Sequence, residues 1–354
     1  MLSSTTAIDW LLRQGARVAT PGVLLSELCN RLAAEGLPLS RALLTIARLD
    51  PLLAASRWRW QITDKRASEE VLFHGMTAIG DAADNGRTLR FRLNGSSHEI
   101  AWVASDSSGF NRKQRVYLEQ IAVVMAAPLQ VVIERETTRS LLRAYLGRRS
   151  AEKVLGGMVQ RGVGETIEAV IWISDLRDFT ALSLTLRPEQ LISALNDYCG
   201  RLVGAIHPFG GEVLKFIGDG LLAIFPLASH GTIAACSAAL SAVRAARHGM
   251  RALNEQRAHA GLPSLPFGVA LHLGAVVYGN IGAPDRLDFT AIGPAVNLTS
   301  RLERLCRRLQ CPVLISDAVA EHCSEKLAPR GRHSITGLEQ PLSLFTLPEL
   351  ADAA

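Results

Sequence analysis

GGEVLKFIGDGLLAIFP, residues Gly210 to Pro226, is the stretch on which the reading of this chain turns. Two runs of strand character, Glu212 to Ile217 and Leu221 to Phe225, flank Gly218-Asp219-Gly220, the composition of a tight hairpin turn. Asp219 therefore sits at a hairpin tip. On turn chemistry alone it is a solvated turn former. A second acid changes the weighing: Glu168 to Ser174 reads as one continuous apolar strand, and Asp175 follows directly at its end. Two carboxylates at strand ends of one sheet can hold a pair of divalent ions. Phosphoryl-transfer chemistry needs that arrangement, because Mg2+ takes one or two carboxylates plus substrate phosphate oxygens.

The 354 residues suffice for two domains with ordinary cores, and 48% hydrophobic with 20% charged residues is a globular composition. The longest apolar run, Ile121 to Ile133, is interrupted by Pro128 and Gln130, so no membrane span is expected. Asp9 stands early, and no basic head precedes an apolar block; the expected location is cytoplasmic. Cys29, Cys199, Cys236, Cys306, Cys311 and Cys323 show neither a C-x-x-C pair nor His at ligand spacing, which favours free thiols. The net charge is +5, but Glu134 to Arg161 alone carries seven basic residues against three acids. Most of the excess thus lies on one connecting segment, and no nucleic-acid partner is expected.

Along the chain, residues 1 to about 56 show helical spacing, at Val23, Leu24, Leu28 and Leu32 and again at Leu43, Leu44, Ile46 and Leu49, with Asp50-Pro51 as a stop. Strand patterns follow. Arg90 to Leu93 and His98 to Ala104 flank Asn94-Gly95 as a hairpin, and Gly109 opens a helical region reaching Leu146. An antiparallel sheet closed by a long outgoing helix resembles a GAF-type sensor domain. His74, His98, Trp58 and Trp60 are candidates for a ligand or haem pocket, though core or surface roles are the commoner use of such residues. Leu118, Ile121, Met125, Val132, Leu142 and Leu146 offer a helix pair between two subunits, with a heptad broken by Pro128, Arg135 and Arg139. The glycines between Gly147 and Glu165 mark a boundary. The division expected is a regulatory domain over 1–146, a linker over 147–165 and a catalytic domain over 166–350. The latter reads as an α+β sandwich with a mixed sheet and packed helices.

Three phrases, Ile173-Ser-Asp175-Leu-Arg-Asp-Phe-Thr180, Lys215-Phe-Ile-Gly-Asp219-Gly and Phe289-Thr290-Ala-Ile-Gly-Pro-Ala-Val-Asn297-Leu-Thr-Ser-Arg301, together resemble the catalytic domain of class III nucleotidyl cyclases. Leu271-His272-Leu-Gly274 and Gly279-Asn-Ile-Gly282 add to the likeness, which covers about residues 165 to 350. The resemblance implies a ferredoxin-like, palm-type core. It also implies that Asp175 and Asp219 bind two Mg2+ or Mn2+ ions, that Asn297 orients the ribose, and that Arg301 stabilises charge on the α-phosphate. Asn297 and Arg301 lie four apart, on one face of the helix after Pro294. Adenine N1 is an acceptor, which suits a Lys donor at 215. Thr290 falls at the family's second base-reading position, where its hydroxyl can accept from the N6 amino group. ATP is the implied substrate, cyclic AMP the product, and a homodimer with shared sites the implied assembly.

Two positions depart from the family pattern. Asp178 stands where Gly is common; if that position needs an unusual backbone angle an acid is tolerated less well, with Asp among the better substitutes, and an additional acid near the ions would alter their preference. Thr336, in Ser334-Ile-Thr-Gly337, replaces a phosphate-binding Lys, with Arg330, Arg332 and His333 as nearby substitutes. The competing functions are a catalytically silent nucleotide-binding regulator, which has no need of a transition-state Arg, and a palm-type polymerase. The latter needs stacking aromatics along a basic channel, and only 5% of residues are aromatic.

Overall fold

The computed structural model describes residues 6–47, 53–73, 87–93, 97–229 and 231–351. The chain forms two compact units, Met1–Leu142 and Arg143–Ala354.

In the first unit, helices α1 (Ala7–Gln14) and α2 (Pro21–Ala34) precede strands β1 (Leu39–Ala47), β2 (Leu53–Gln61), β3 (Ala67–Phe73), β4 (Thr88–Arg92) and β5 (Glu99–Ala104), and helix α3 (Arg112–Leu146) follows. Thr20 caps α2 by accepting from Val23 N–H, with Pro21 at the first helical position. The strands form an antiparallel sheet in the order β3-β2-β1-β5-β4. Helical spacing thus holds over Ala7–Gln14 and Pro21–Ala34 but fails at Leu43, Leu44 and Ile46. These lie on β1, flanked on both sides by other strands, and a buried central strand reads as an unbroken apolar run that spacing cannot tell from a helix. Asp50-Pro51, the Asn94-Gly95 turn and His74 lie outside the described residues. Trp58 and Trp60 are buried in the core of this unit, and Trp60 Nε1 donates to Asn30 Oδ1 at 3.1 Å.

Helix α3 continues through Pro128 to Leu146, the end expected for the helical region that opens at Gly109. By length and composition it is long and apolar enough to cross a membrane. Its Leu118, Ile121, Met125 and Leu129 are buried in the core of the first unit, the ordinary use of such a face in a core helix.

The second unit begins its own secondary structure with helix α4 (Arg148–Leu155). The following elements are β6 (Gly164–Leu176), α5 (Phe179–Thr185), α6 (Pro188–Ile206), β7 (Glu212–Ile217), β8 (Gly220–Pro226), α7 (Thr232–His259), β9 (Phe267–Ala283), β10 (Arg286–Ile292), α8 (Pro294–Arg308), β11 (Val313–Ser316), α9 (Asp317–Ala320), β12 (Ala328–His333) and β13 (Leu342–Thr346). The sheet order is β12-β13-β11-β9-β6-β8-β7, with β10 pairing β9. It is mixed, as expected, because β11 runs parallel to β9 while the other pairs are antiparallel.

Period-two alternation divides the sheet's faces. Val170, Trp172, Val269 and Leu271 point toward α6 and α7, whose Ala235, Ala239, Ala242 and Ala246 allow close approach. Ala169, Ile171 and Ala270 point the other way, into the clusters that include α8 residues. The first turn of α4 is fastened to this unit. Arg149 N–H donates to Glu212 Oε1 at 2.8 Å, and Ser150 Oγ meets Tyr278 Oη at 2.8 Å in a buried contact.

At the end of β6 the buried Ser174 hydroxyl accepts from Trp172 Nε1 at 3.0 Å, which fixes the backbone just before Asp175. Beside it the hairpin approaches so closely that a Cβ on Gly220 would lie 2.7 Å from Ser174 O and 2.9 Å from Asp175 Oδ1. Gly220→Ala is therefore expected to cost about 1–3 kcal/mol of stability through overpacking. Denaturant unfolding checks this, and an unchanged midpoint would contradict the close approach.

Candidate active site

Asp175 is the penultimate residue of β6, and Asp219 lies in the two-residue turn joining β7 to β8, where Ile217 pairs with Gly220 and Gly218 takes φ +63°. A left-handed first turn residue is what Gly supplies without strain. The turn brings the two carboxyl groups within hydrogen-bonding contact. Burial first, then the charge of Asp219 and that of Glu303, push the Asp175 carboxyl up to about 7. Among the described residues no group of three or more His, Cys, Asp or Glu side chains is placed to hold a metal ion. A cation here would rely on these two acids, on water and on substrate oxygens.

Glu303 was not singled out from the sequence. It is buried on α8, and its Oε1 would lie 2.9 Å from a Cβ on Gly268, the β9 partner of Asp175. Burial pushes its own pKa up, and the nearby Arg177 opposes that. Arg301 lies two residues earlier on the same helix, about 200° away around its axis at 3.6 residues per turn. Arg301 and Asn297 are both exposed. The helix thus presents one face to the acids and carries Asn297 and Arg301 on another. No hydrogen bond or ion pair joins Asp175 or Asp219 to Lys215, Asn297 or Arg301 among the described residues.

Lys215, in the first strand of the hairpin, extends Nζ to Asp288 Oδ2 on β10 at 2.7 Å. Asp288 and Thr290 are two apart and so share a strand face. Thr290 is only 3% exposed, and its Oγ1 is buried with no hydrogen-bond partner. An unmet buried hydroxyl is costly, and a ligand's polar edge would satisfy it. Asp288 was also missed from sequence; the alternation Asp288, Thr290 is the signal that places them together.

Arg301 donates through Nη1 to the Thr336 carbonyl, over Gly337, whose φ of +85° and missing Cβ admit the guanidinium. The candidate substitutes for a phosphate-binding Lys are engaged with nearby backbone. Arg330 Nη2 donates to Leu350 O at 2.5 Å, Arg332 Nη2 to Pro341 O at 3.3 Å, and His333 Nε2 lies 2.7 Å from Arg330 O. Asp178 adopts φ +56°, so this position does require left-handed backbone, which Asp tolerates better than most residues. Its carboxylate pairs with Arg307. All six cysteines are free, four of them buried.

The model of the adenylate and guanylate cyclase catalytic domain matches residues 164–347. An adenylate cyclase of Anabaena cylindrica is 33% identical over 192 residues, covering 53% of this chain and 38% of that protein. Adenylate cyclase 1 of Rhizobium meliloti (strain 1021) is 25% identical over 344 residues, covering 95% of this chain and 46% of the relative. The chain thus spans less than half the length of these two curated relatives. Among solved structures, a bacterial light-regulated adenylyl cyclase is 26% identical with a TM-score of 0.52, and the likeness covers 68% of each chain. A second structure of a bacterial light-regulated adenylyl cyclase, at 21% identity and a TM-score of 0.54, agrees in fold. The match spans the strand, hairpin and helix that carry Asp175, Asp219, Asn297 and Arg301, and the chain belongs to the adenylate and guanylate cyclase catalytic-domain family.

Proposed function

We propose that this chain is an adenylate cyclase that converts ATP to 3′,5′-cyclic AMP and pyrophosphate at sites shared between two copies. The observation that carries the shared site is the two-faced helix α8: Glu303 stands beside the acids of its own chain, while Asn297 and Arg301 face elsewhere. One chain supplies Asp175 and Asp219, and its partner supplies Lys215, Thr290, Asn297 and Arg301. The partially exposed apolar residues Phe216, Ile217 and Ile292 near these positions suit burial between copies.

Asp175 and Asp219 would hold two divalent ions, Mg2+ or Mn2+. The fit rests on a carboxyl raised by burial first and then by the charges of Asp219 and Glu303, since a cation nearby favours its ionised form. When bound, such ions lower the pKa of the ribose 3′-hydroxyl and neutralise the triphosphate. The chain's own groups position the rest. Lys215, steered by Asp288, donates to adenine N1, and Thr290 Oγ1 accepts from N6. Asn297 orients the ribose so that O3′ lies in line with the α-phosphorus. As the O3′–P bond forms and the bond to the leaving pyrophosphate breaks, Arg301 takes up the charge on the α-phosphate oxygens. With Thr336 supplying no cation, phosphate binding falls to Arg301 and the ions, and turnover is slow. Residues 1–146 act as the regulatory unit for an unidentified signal, and 147–165 as the transducer, joined to the catalytic strands through Glu212 and Tyr278. The setting is intracellular signalling in the cytoplasm, where ATP is supplied.

Mixing Asp175→Ala with Arg301→Ala chains, each inactive alone, is expected to restore about a quarter of wild-type activity. Random exchange makes half the dimers mixed, and each has one intact site of two. No rescue after proven exchange would defeat the shared site. Lys215→Glu is expected to lower kcat/KM for ATP on the order of 100-fold, because adenine N1 then faces an acceptor; steady-state kinetics with ATP decide this.

In metal-free protein the folded state keeps a proton on Asp175 up to about pH 7, whereas an ordinary Asp releases it near 3.8. Stability should therefore fall as pH rises between those values and level off above about 7. Mn2+ added at pH 8 should raise the melting temperature of the wild type, and Asp175→Asn should lose both effects. A wild-type melting temperature indifferent to pH and to Mn2+ would remove the basis for the ion assignment.

A further inference from the structure

A cleft of about 490 Å³ opens in the second unit between α7 and the chain entering β9. Arg247, Arg251, Asn254 and Ala258 line it from one helical face, at spacings of four, three and four. Met250, Leu265 and Phe267 supply apolar surface. Asn254 braces the wall: its Oδ1 accepts from Leu265 N–H at 2.7 Å and its Nδ2 donates to Leu265 O at 3.4 Å.

The arginines of α7 fall into two kinds. Arg244 is held by Glu325 and Glu349, and the buried Arg257 by Pro263 O at 2.8 Å and Asp197 at 3.6 Å. Arg247 and Arg251, one turn apart and facing the cleft, make no hydrogen bond or ion pair among the described residues. Arg247 is half-buried, a costly state for an uncompensated guanidinium. Burial and the like charge of Arg251 both push its pKa down. Glu349 pulls the other way, but its carboxylate is already bound to Arg244. The remaining charged lining residue is Glu255, which discourages a second negative group.

The geometry points to this cleft as a binding site for a small organic anion, its single phosphate or carboxylate head on Arg247 and Arg251 and its apolar body on Met250, Leu265 and Phe267. Two guanidinium groups suit an oxyanion that offers several acceptors, and the volume is in the range of small-molecule pockets. The site is distinct from Asp175 and Asp219 yet adjoins their strand, since Phe267 pairs with Leu176 and the Pro266 carbonyl accepts from Arg177 N–H at 2.7 Å.

Ligand-observed NMR titration of the full chain without divalent ions, using phenyl phosphate and separately benzoate, tests the assignment. At least one probe should bind saturably, with a Kd on the order of 1 mM, as expected for about ten heavy atoms. Arg247→Met and Arg251→Met should each weaken that binding about tenfold, while Arg301→Ala leaves it intact. Two arginine variants guard against one failing to fold, which a melting curve reports. Binding of phenyl phosphate alone would assign a phosphate ester, and of benzoate alone a carboxylate. Absence of saturable binding by either probe, affinity unchanged in both arginine-to-methionine variants, or loss only in Arg301→Ala would overturn the assignment.

Discussion

Two carboxylates held together at the edge of a hydrophobic core are the constraint around which the catalytic unit is arranged. Charges of one sign separate unless the backbone forbids it. Here the backbone does so through β6, paired along thirteen residues with β9 and anchored at its end by Ser174, and through the turn that delivers Asp219. Gly220 has no Cβ to keep the hairpin and Asp175 apart. Burial first, and the neighbouring charges of Asp219 and Glu303 second, raise the pKa of Asp175, and a bound cation would favour its ionised form. A site prepared at a cost to the folded chain is a recurring pattern in catalysis.

Helix α8 carries Glu303 and the proposed site residues Asn297 and Arg301 on two different faces. It is anchored through Leu302, Leu305 and Cys306 to the sheet, and its buried Glu303 lies beside the acids. The anchoring fixes the rotation of the helix, and the rotation turns Arg301 away. In the proposed shared site a second copy completes the chemistry, and a signal altering the relation between two copies would alter the rate. The fastening of α4 to Glu212 and Tyr278 gives such a signal a route, because Glu212 begins the strand that carries Lys215 and ends at the Asp219 turn. Tyr278 likewise meets Phe289 edge-on at 4.8 Å, one residue before Thr290.

Much of the second unit was legible in the sequence because local signals agreed with one another. The apolar run before Asp175, Gly-Asp-Gly between two strands, and Pro188 and Pro294 at helix starts each specify an element without help from distant residues. Where packing decides, reading failed. Leu43, Leu44 and Ile46 carry helical spacing but occupy a central strand, since burial on both faces removes the alternation that marks a sheet. By contrast, the helical region expected to reach Leu146 stands as α3, with the ring of Pro128 buried against Gly15. Glu303 carries no local signal, and Asp288 only its alternation with Thr290, as their importance lies across the sheet in one case and in a partner 73 residues away in the other. Asp178 departs from a glycine position, and its left-handed backbone accounts for the glycine common there, with Asp among the residues that bear such a φ best.

The central claim is that this chain makes cyclic AMP from ATP. The most direct test is the cyclic nucleotide formed by purified full-length protein given ATP or GTP separately, in Mg2+ and then in Mn2+. Cyclic AMP from ATP, with little or no cyclic GMP from GTP, is the predicted result. Cyclic GMP as the main product, or no cyclic nucleotide from a folded dimer with either ion, would contradict it.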